Sequence, residues 1–202
     1  MRTGREECGP PASHRYSKVG RRRELCASSE IETYNMVIDD FSSPPAPACN
    51  AARWQVFTDQ VMGGVSRGSA SVETVAGRPA IRMRGSVSLD NNGGFVQISR
   101  DLAPDGGPVD ASGFSGIEVT VSGNGERYNV HLRTAQTRRP WQSYRHEFIA
   151  APTWQKLQFP FAGFTLHRIE AALDLGTLRR IGLVAIGREF DADLSVSRVA
   201  FF

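Results

Sequence analysis

Two short runs in this 202-residue chain set acidic and amide side chains beside paired glycines: Asp59-Gln60-Val61-Met62-Gly63-Gly64-Val65-Ser66 and Ser88-Leu89-Asp90-Asn91-Asn92-Gly93-Gly94-Phe95. Glycine enters left-handed backbone freely and asparagine at little cost, so such runs build tight, specialised turns rather than linkers. Two chemistries are open to their carboxylates. Asp59 and Asp90 could offer hard oxygen ligands to calcium together with loop carbonyls, or each could accept hydrogen bonds from amides of its own turn. A phosphate cradle is not indicated, because the glycines lack the strand–loop–helix context it needs. The chain has no GxSxG, HExxH or P-loop pattern, and His14, His131, His146 and His167 stand isolated. Ser66 lacks the flanking glycine spacing and following helix of a nucleophile elbow. The expectation is no catalytic residue, no cofactor and no metal.

A second candidate is a strand face. Asn129, His131 and Arg133 alternate outward from a stretch whose other face is Tyr128, Val130 and Leu132. Trp141, Tyr144 and Arg145 follow the basic loop Thr137-Arg138-Arg139-Pro140. Aromatic rings beside hydrogen-bonding groups on a sheet surface form a platform for a sugar, a peptide or a partner protein. Alternatively, Trp141 and Tyr144 simply cover the sheet edge. Catalysis by His131 would need an acidic neighbour in a pocket, and the local sequence supplies none.

The elements that must position these groups belong to a chain that is 40% hydrophobic and 22% charged, enough for one sizeable core. Residues 1–35 hold seven Lys/Arg against five Glu, and 36–202 hold 17 against 16 acids. The folded part is thus nearly neutral, which excludes nucleic-acid binding driven by a concentrated basic face. Lys18 and Lys156 are the only lysines, an arginine bias that fits GC-rich coding. Cys8, Cys26 and Cys49 are odd in number and have no CxxC spacing, so neither a disulfide framework nor a zinc site is indicated. No apolar run approaches a membrane span, and the first residues lack the apolar core of a secretory signal. Direct membrane insertion is not expected; the expected location is the cytoplasm, as in a bacterial-type protein, with peripheral attachment to the membrane through a partner as the alternative.

Residues 1–35 show no hydrophobic periodicity and read as disordered, and Met36 stands just before the first strand-like segment, Val37–Phe41, as a candidate translation start. Residues 36–202 read as a single domain. Ile81, Met83, Val87 and Leu89 point one way in Ala80–Leu89, with Arg82, Arg84, Ser86 and Ser88 opposite. The same period of two recurs in Gly116–Val121 and Tyr128–Thr134, joined as a hairpin by Ser122-Gly123-Asn124-Gly125. Further strands are expected at Trp54–Phe57, Gln142–Ile149, Trp154–Phe161, Arg180–Ile186 and Leu194–Phe202, and only Leu166–Leu175 looks helical. Many short strands with Gly, Pro and Asn between them predict an all-β, mainly antiparallel sandwich or jelly roll.

Taken together, Trp54, the DxVMGGVSxG run, the SLxNNGGF run and Arg100 resemble the complex I intermediate-associated protein 30 family. Later stretches agree: Tyr128 to Arg133, the Tyr144 strand, Trp154-Gln155-Lys156-Leu157 before Pro160-Phe161, and Ile181-Gly182-Leu183. The likeness spans about Ile38 to Phe202. It implies a galactose-binding-domain-like β-sandwich and, by its mitochondrial members, a factor that binds assembly intermediates of respiratory complex I. It implies no catalytic residues. Asp59, Met62, Gly63, Gly64, Ser66, Asn91, Asn92, Gly93, Gly94 and Phe95 are then either structural turns or a partner-binding edge. The expected function is a non-catalytic protein-binding or assembly-chaperone domain. The alternative is a carbohydrate-binding module using the face of Asn129, His131, Arg133, Trp141 and Tyr144.

Overall fold

A computed structural model describes residues 35–43 and 51–202. Residues 1–34 of the segment read as disordered lie outside the described residues. In chain order the strands are β1 (Met36–Asp39), β2 (Gln55–Thr58), β3 (Arg67–Val75), β4 (Arg78–Val87), β5 (Phe95–Asp101) and β6 (Gly116–Gly123). They continue as β7 (Arg127–Thr134), β8 (Ser143–Ile149), β9 (Gln155–Pro160), β10 (Thr165–His167), β11 (Leu178–Ile186) and β12 (Phe190–Phe201).

These strands form two sheets in which all neighbours are antiparallel. The first runs β3-β4-β12-β6-β9, with β1 continuing the β4 edge along the end of β12. The second runs β10-β8-β7-β11-β5-β2. Each strand alternates, and the inward residues meet between the sheets: Met83, Val119 and Leu194 from the first, Ile98, Leu132 and Leu183 from the second, all buried. Transfer of such side chains from water stabilises the sandwich by about 1.5–3 kcal/mol each before conformational entropy is charged against it. The fold is an all-β antiparallel jelly-roll sandwich of the galactose-binding-like type.

Three expectations are corrected. The turn Ser122–Gly125 does not close a hairpin, because β6 and β7 belong to opposite sheets. Their apolar faces look at the same core from either side, so alternation alone did not distinguish a hairpin from a crossing between layers. The crossing is held by Asn124, whose amide donates to Asp191 O at 2.7 Å and whose oxygen accepts from Tyr128 Oη at 2.7 Å. Leu166–Leu175 is not helical: it contains the end of β10, bends, and the start of a 3₁₀ turn at Leu175–Thr177, and Arg168 has a left-handed φ of 54° that breaks a helix. Leu89, expected inward, is exposed beyond the end of β4.

Strands β3 and β5 were not anticipated. Edge strand β3 is rich in Ser, Gly and Ala and pairs only with β4, so its apolar alternation is faint. The inward Val96 and Ile98 of β5 alternate clearly, but the strand starts inside the second glycine run. The flanking signature residues also find each other. Trp54 Nε1 and Arg100 both donate to Asp39 Oδ2, at 3.0 and 2.5 Å, and tie β1 to the second sheet.

Candidate functional site

The two glycine runs meet around one carboxylate. Asp59 begins a 3₁₀ turn, Asp59–Met62, after β2 and is fully buried. Its Oδ1 accepts from the Ser66 amide at 2.9 Å, and its Oδ2 accepts from the Ser66 hydroxyl and from the Gly94 and Phe95 amides at 2.5 and 3.3 Å. Ser66 Oγ in turn accepts from the Ser88 amide at 3.0 Å, and Asn91 Nδ2 donates to Gly63 O at 3.3 Å. Burial alone would push the Asp59 carboxyl up, but these donors together hold it below the ordinary carboxylate value. With both oxygens occupied by protein donors, Asp59 serves as a turn anchor rather than a calcium ligand.

The glycines follow from this geometry. Gly63 (φ 90°) closes the 3₁₀ turn in the left-handed region, and Gly94 (φ 125°) needs the same freedom. Gly64 and Gly93 do not have positive φ; a Cβ on either would collide with the Asp59 carboxylate.

Beside this anchor the outer face of the second sheet opens into a cleft of about 720 Å³. One wall is the glycine-run edge, Val61, Met62 and Asn92–Phe95; the other is the Pro140–Gln142 turn with Arg168. Its floor comes from β5, β7, β8, β10 and β11, where His131 lies opposite Arg145 in register and beside Gly182. Gly182 leaves the floor open; a Cβ there would press on Gln97 at 3.3 Å. His131 is 8% exposed and its Nε2 has no hydrogen-bond partner. Burial, then the charge of Arg145, then His167, push its pKa down to about 3, so the ring is neutral at pH 7. Among the described residues no carboxylate lines the cleft, and none there partners His131 for general acid–base chemistry.

Of the face proposed from sequence, His131, Arg133 and Trp141 line the cleft, and Met62, Asn92, Gly93, Gly94 and Phe95 rim it. Asn129 shares the face but sits farther along β7, opposite Glu147. Tyr144 is misplaced by the sequence reading. It is 0% exposed and points into the core, because β8 begins at Ser143 and puts Tyr144 on the inward parity, while Trp141 lies in the preceding turn and is 47% exposed. The Tyr144 hydroxyl donates to Ala171 O at 2.9 Å and anchors the irregular stretch after β10. Tyr144→Phe is expected to lose about 1 kcal/mol of stability by urea unfolding; an unchanged midpoint would mean that bond contributes nothing.

Sequence reasoning missed Gln97, His167, Arg168, Arg180 and Gly182. The period of two on β5 and β11 marks Gln97, Arg180 and Gly182 as outward, but their adjacency to β7 is a matter of strand order. His167 and Arg168 were hidden in the stretch read as helical.

Both outer faces carry ion pairs. On the first sheet Arg82 pairs with Asp193 at 2.6 Å and Glu118 with Arg198 and Lys156, each at 2.7 Å. On the second, Arg180 pairs with Asp101 at 2.5 Å, whereas Arg133 and Arg145 donate to neutral oxygens of Thr137, Arg139 and Ser143.

The described residues form a two-sheet jelly roll with an open cleft on one outer face, the form of a binding domain. The model of the complex I intermediate-associated protein 30 family matches residues 40–196, and the chain belongs to that family. None of the curated proteins matches it by sequence. Among solved structures it is similar to the family 11 carbohydrate-binding module from Clostridium thermocellum in complex with a β-1,3-1,4-mixed-linked tetrasaccharide, with a TM-score of 0.63 and 14% identity over 83% of this chain and 95% of that one. It is also similar to a family 30 carbohydrate-binding module of a cellulosomal cellulase of the same organism, with a TM-score of 0.60 and 13% identity over 84% and 97% of the two chains. The agarase AgWH50C is similar with a TM-score of 0.55 and 13% identity over 81% of this chain and 26% of that one. At these identities the likeness is one of fold. Among the described residues no helix is long and apolar enough to cross a membrane.

Proposed function

We propose that this domain binds a saccharide in the cleft on the outer face of its second sheet, with a sugar ring against Trp141. The observation that carries the reading is the cleft itself: an exposed indole above a floor that holds the buried His131, whose Nε2 lacks a hydrogen-bond partner. An open aromatic face supplies apolar contact area, and fixed polar groups supply orientation, which is what a sugar's two kinds of surface require. Arg139 lies 6.0 Å from the Trp141 ring centroid and steadies the indole at the rim. The shared fold of carbohydrate-binding modules, one of them in complex with a tetrasaccharide, supports the same reading.

A glycan array carrying neutral and acidic oligosaccharides, followed by calorimetry on the hits, tests it. Trp141→Ala is expected to weaken binding by about 2 kcal/mol, roughly thirtyfold, with the melting temperature preserved because the ring is half-exposed. An array with no saccharide bound by the parent protein would overturn the proposal.

A second reading rests on a different observation. Val61, Met62, Val65 and Leu89 are exposed apolar side chains on the joined glycine runs, with Val61 72% and Met62 58% exposed. Such an edge suits a protein partner, and the family's name points to intermediates of complex I assembly. Affinity capture with the parent protein and with Met62→Glu separates the readings: a complex I subunit retained by the first and lost by the second favours this one.

A further inference from the structure

We propose that the ligand of this cleft is an anionic saccharide, carrying carboxylate or sulfate groups, received by Arg133, Arg145 and Arg168. The inference rests on the saccharide reading above and adds the class of sugar. Arg133 and Arg145 are both partly buried on the cleft floor, and their donors reach only neutral oxygens: Arg133 to Thr137 O and Arg139 O at 3.0 Å, and Arg145 to Ser143 Oγ at 2.9 Å. Arg168 stands on the adjoining wall, and among the described residues none of the three has a carboxylate within ion-pair distance. His131, directly opposite Arg145, adds an unpartnered buried Nε2.

Gathering like charges at a half-buried surface is costly unless an opposite charge completes it. Burial and then the charge of Arg180 lower the pKa of Arg133, with Asp101 opposing in part, and burial and then Arg168 lower that of Arg145, so Arg145 and Arg168 repel one another across the cleft. On the outer face of the first sheet Arg82 and Arg198 are neutralised by Asp193 and Glu118. Among the described residues the cleft carries no acid to do so, and its planar guanidinium forks match carboxylate or sulfate oxygens in pairs. A bound anion would bring the missing charge from outside.

Calorimetry on the full chain with tetragalacturonate, its methyl ester, a carrageenan tetrasaccharide and a neutral mixed-linked β-glucan tetrasaccharide tests the inference. At least one anionic glycan is expected to bind about tenfold tighter than its neutral counterparts, with the advantage shrinking between about 50 mM and about 500 mM salt. Arg145→Gln and Arg168→Gln should each remove most of that advantage without lowering the melting temperature, since neither side chain holds an ion pair in the fold. If neutral and anionic glycans bind equally, or only the neutral ones bind, the anionic assignment fails and the saccharide reading stands. If none of the four binds and the array is blank, both fail.

Discussion

Asp59→Ala is expected to lower the unfolding free energy by about 3–5 kcal/mol, a large share of the roughly 5–15 kcal/mol that ordinarily holds a domain folded. The carboxylate is fully buried and accepts from three backbone amides and a hydroxyl drawn from both glycine runs. Alanine leaves the three amides without an acceptor, leaves the Ser66 hydroxyl only Ser88 O at 3.2 Å, and opens a void where both turns converge. The costs of the orphaned donors do not sum in full, because water can enter beside the exposed Val61 and Met62. Asp59→Asn should be milder, since one amide oxygen still accepts while the NH₂ group faces other donors. The pH dependence has a definite sign. Because the folded carboxyl lies below its ordinary value, its stabilisation is fully present above about pH 4 and is lost as pH falls through the folded value. Asp59→Asn should therefore flatten the acid limb of the stability curve. Urea unfolding of Asp59→Ala within about 0.5 kcal/mol of the parent would refute the anchor role.

Gly64→Val is expected to cost about 3 kcal/mol or more, for a reason other than backbone strain. Gly64 has no positive φ; its Cβ direction is filled by the Asp59 carboxylate. The clash and the anchor are thus one interaction seen from two residues. Gly63→Ala, where nothing lies within 4 Å but φ is 90°, should cost only about 1 kcal/mol. A double-mutant cycle makes the distinction sharp. In an Asp59→Gly background, Gly64→Ala should regain about 2 kcal/mol relative to its cost in the parent, because the space it needs is then empty. Additive costs in that cycle would mean that Gly64 is required by its backbone conformation and not by the carboxylate.

The cleft divides its residues between scaffold and ligand contact. Asp59, Ser66 and Gly64 hold the wall from behind, while Met62, Asn92 and Phe95 present it to the cleft. A substitution in the first group would move the wall and reduce binding indirectly, so binding measurements should be read with a melt beside them. Trp141, Arg145 and Arg168 are free of that ambiguity, because none is used to hold the sandwich together.

Local chemistry in the sequence determined a good deal. The paired glycines with Asp and Asn foretold specialised turns, because few other residues reach left-handed backbone cheaply. Period-two alternation separated Tyr128, Val130 and Leu132 from Asn129, His131 and Arg133, because successive side chains of a strand must leave by opposite faces. Together with the signature runs this was enough for the sandwich and the family. Only the tertiary structure decided which strands became neighbours. β7 lies beside β11, more than forty residues later in the chain, and that pairing brings Arg133 to Arg180 and His131 to Gly182. It alone showed that Gly94, 35 residues from Asp59, donates to the same carboxylate, and that Tyr144 turns into the core while Trp141 stays out. Alternation states which residues share a face, but not which sheet a strand joins or whose charge it will meet there. Those depend on contacts far apart in sequence, and it is those contacts that turn two glycine-rich turns and a few arginines into one cleft.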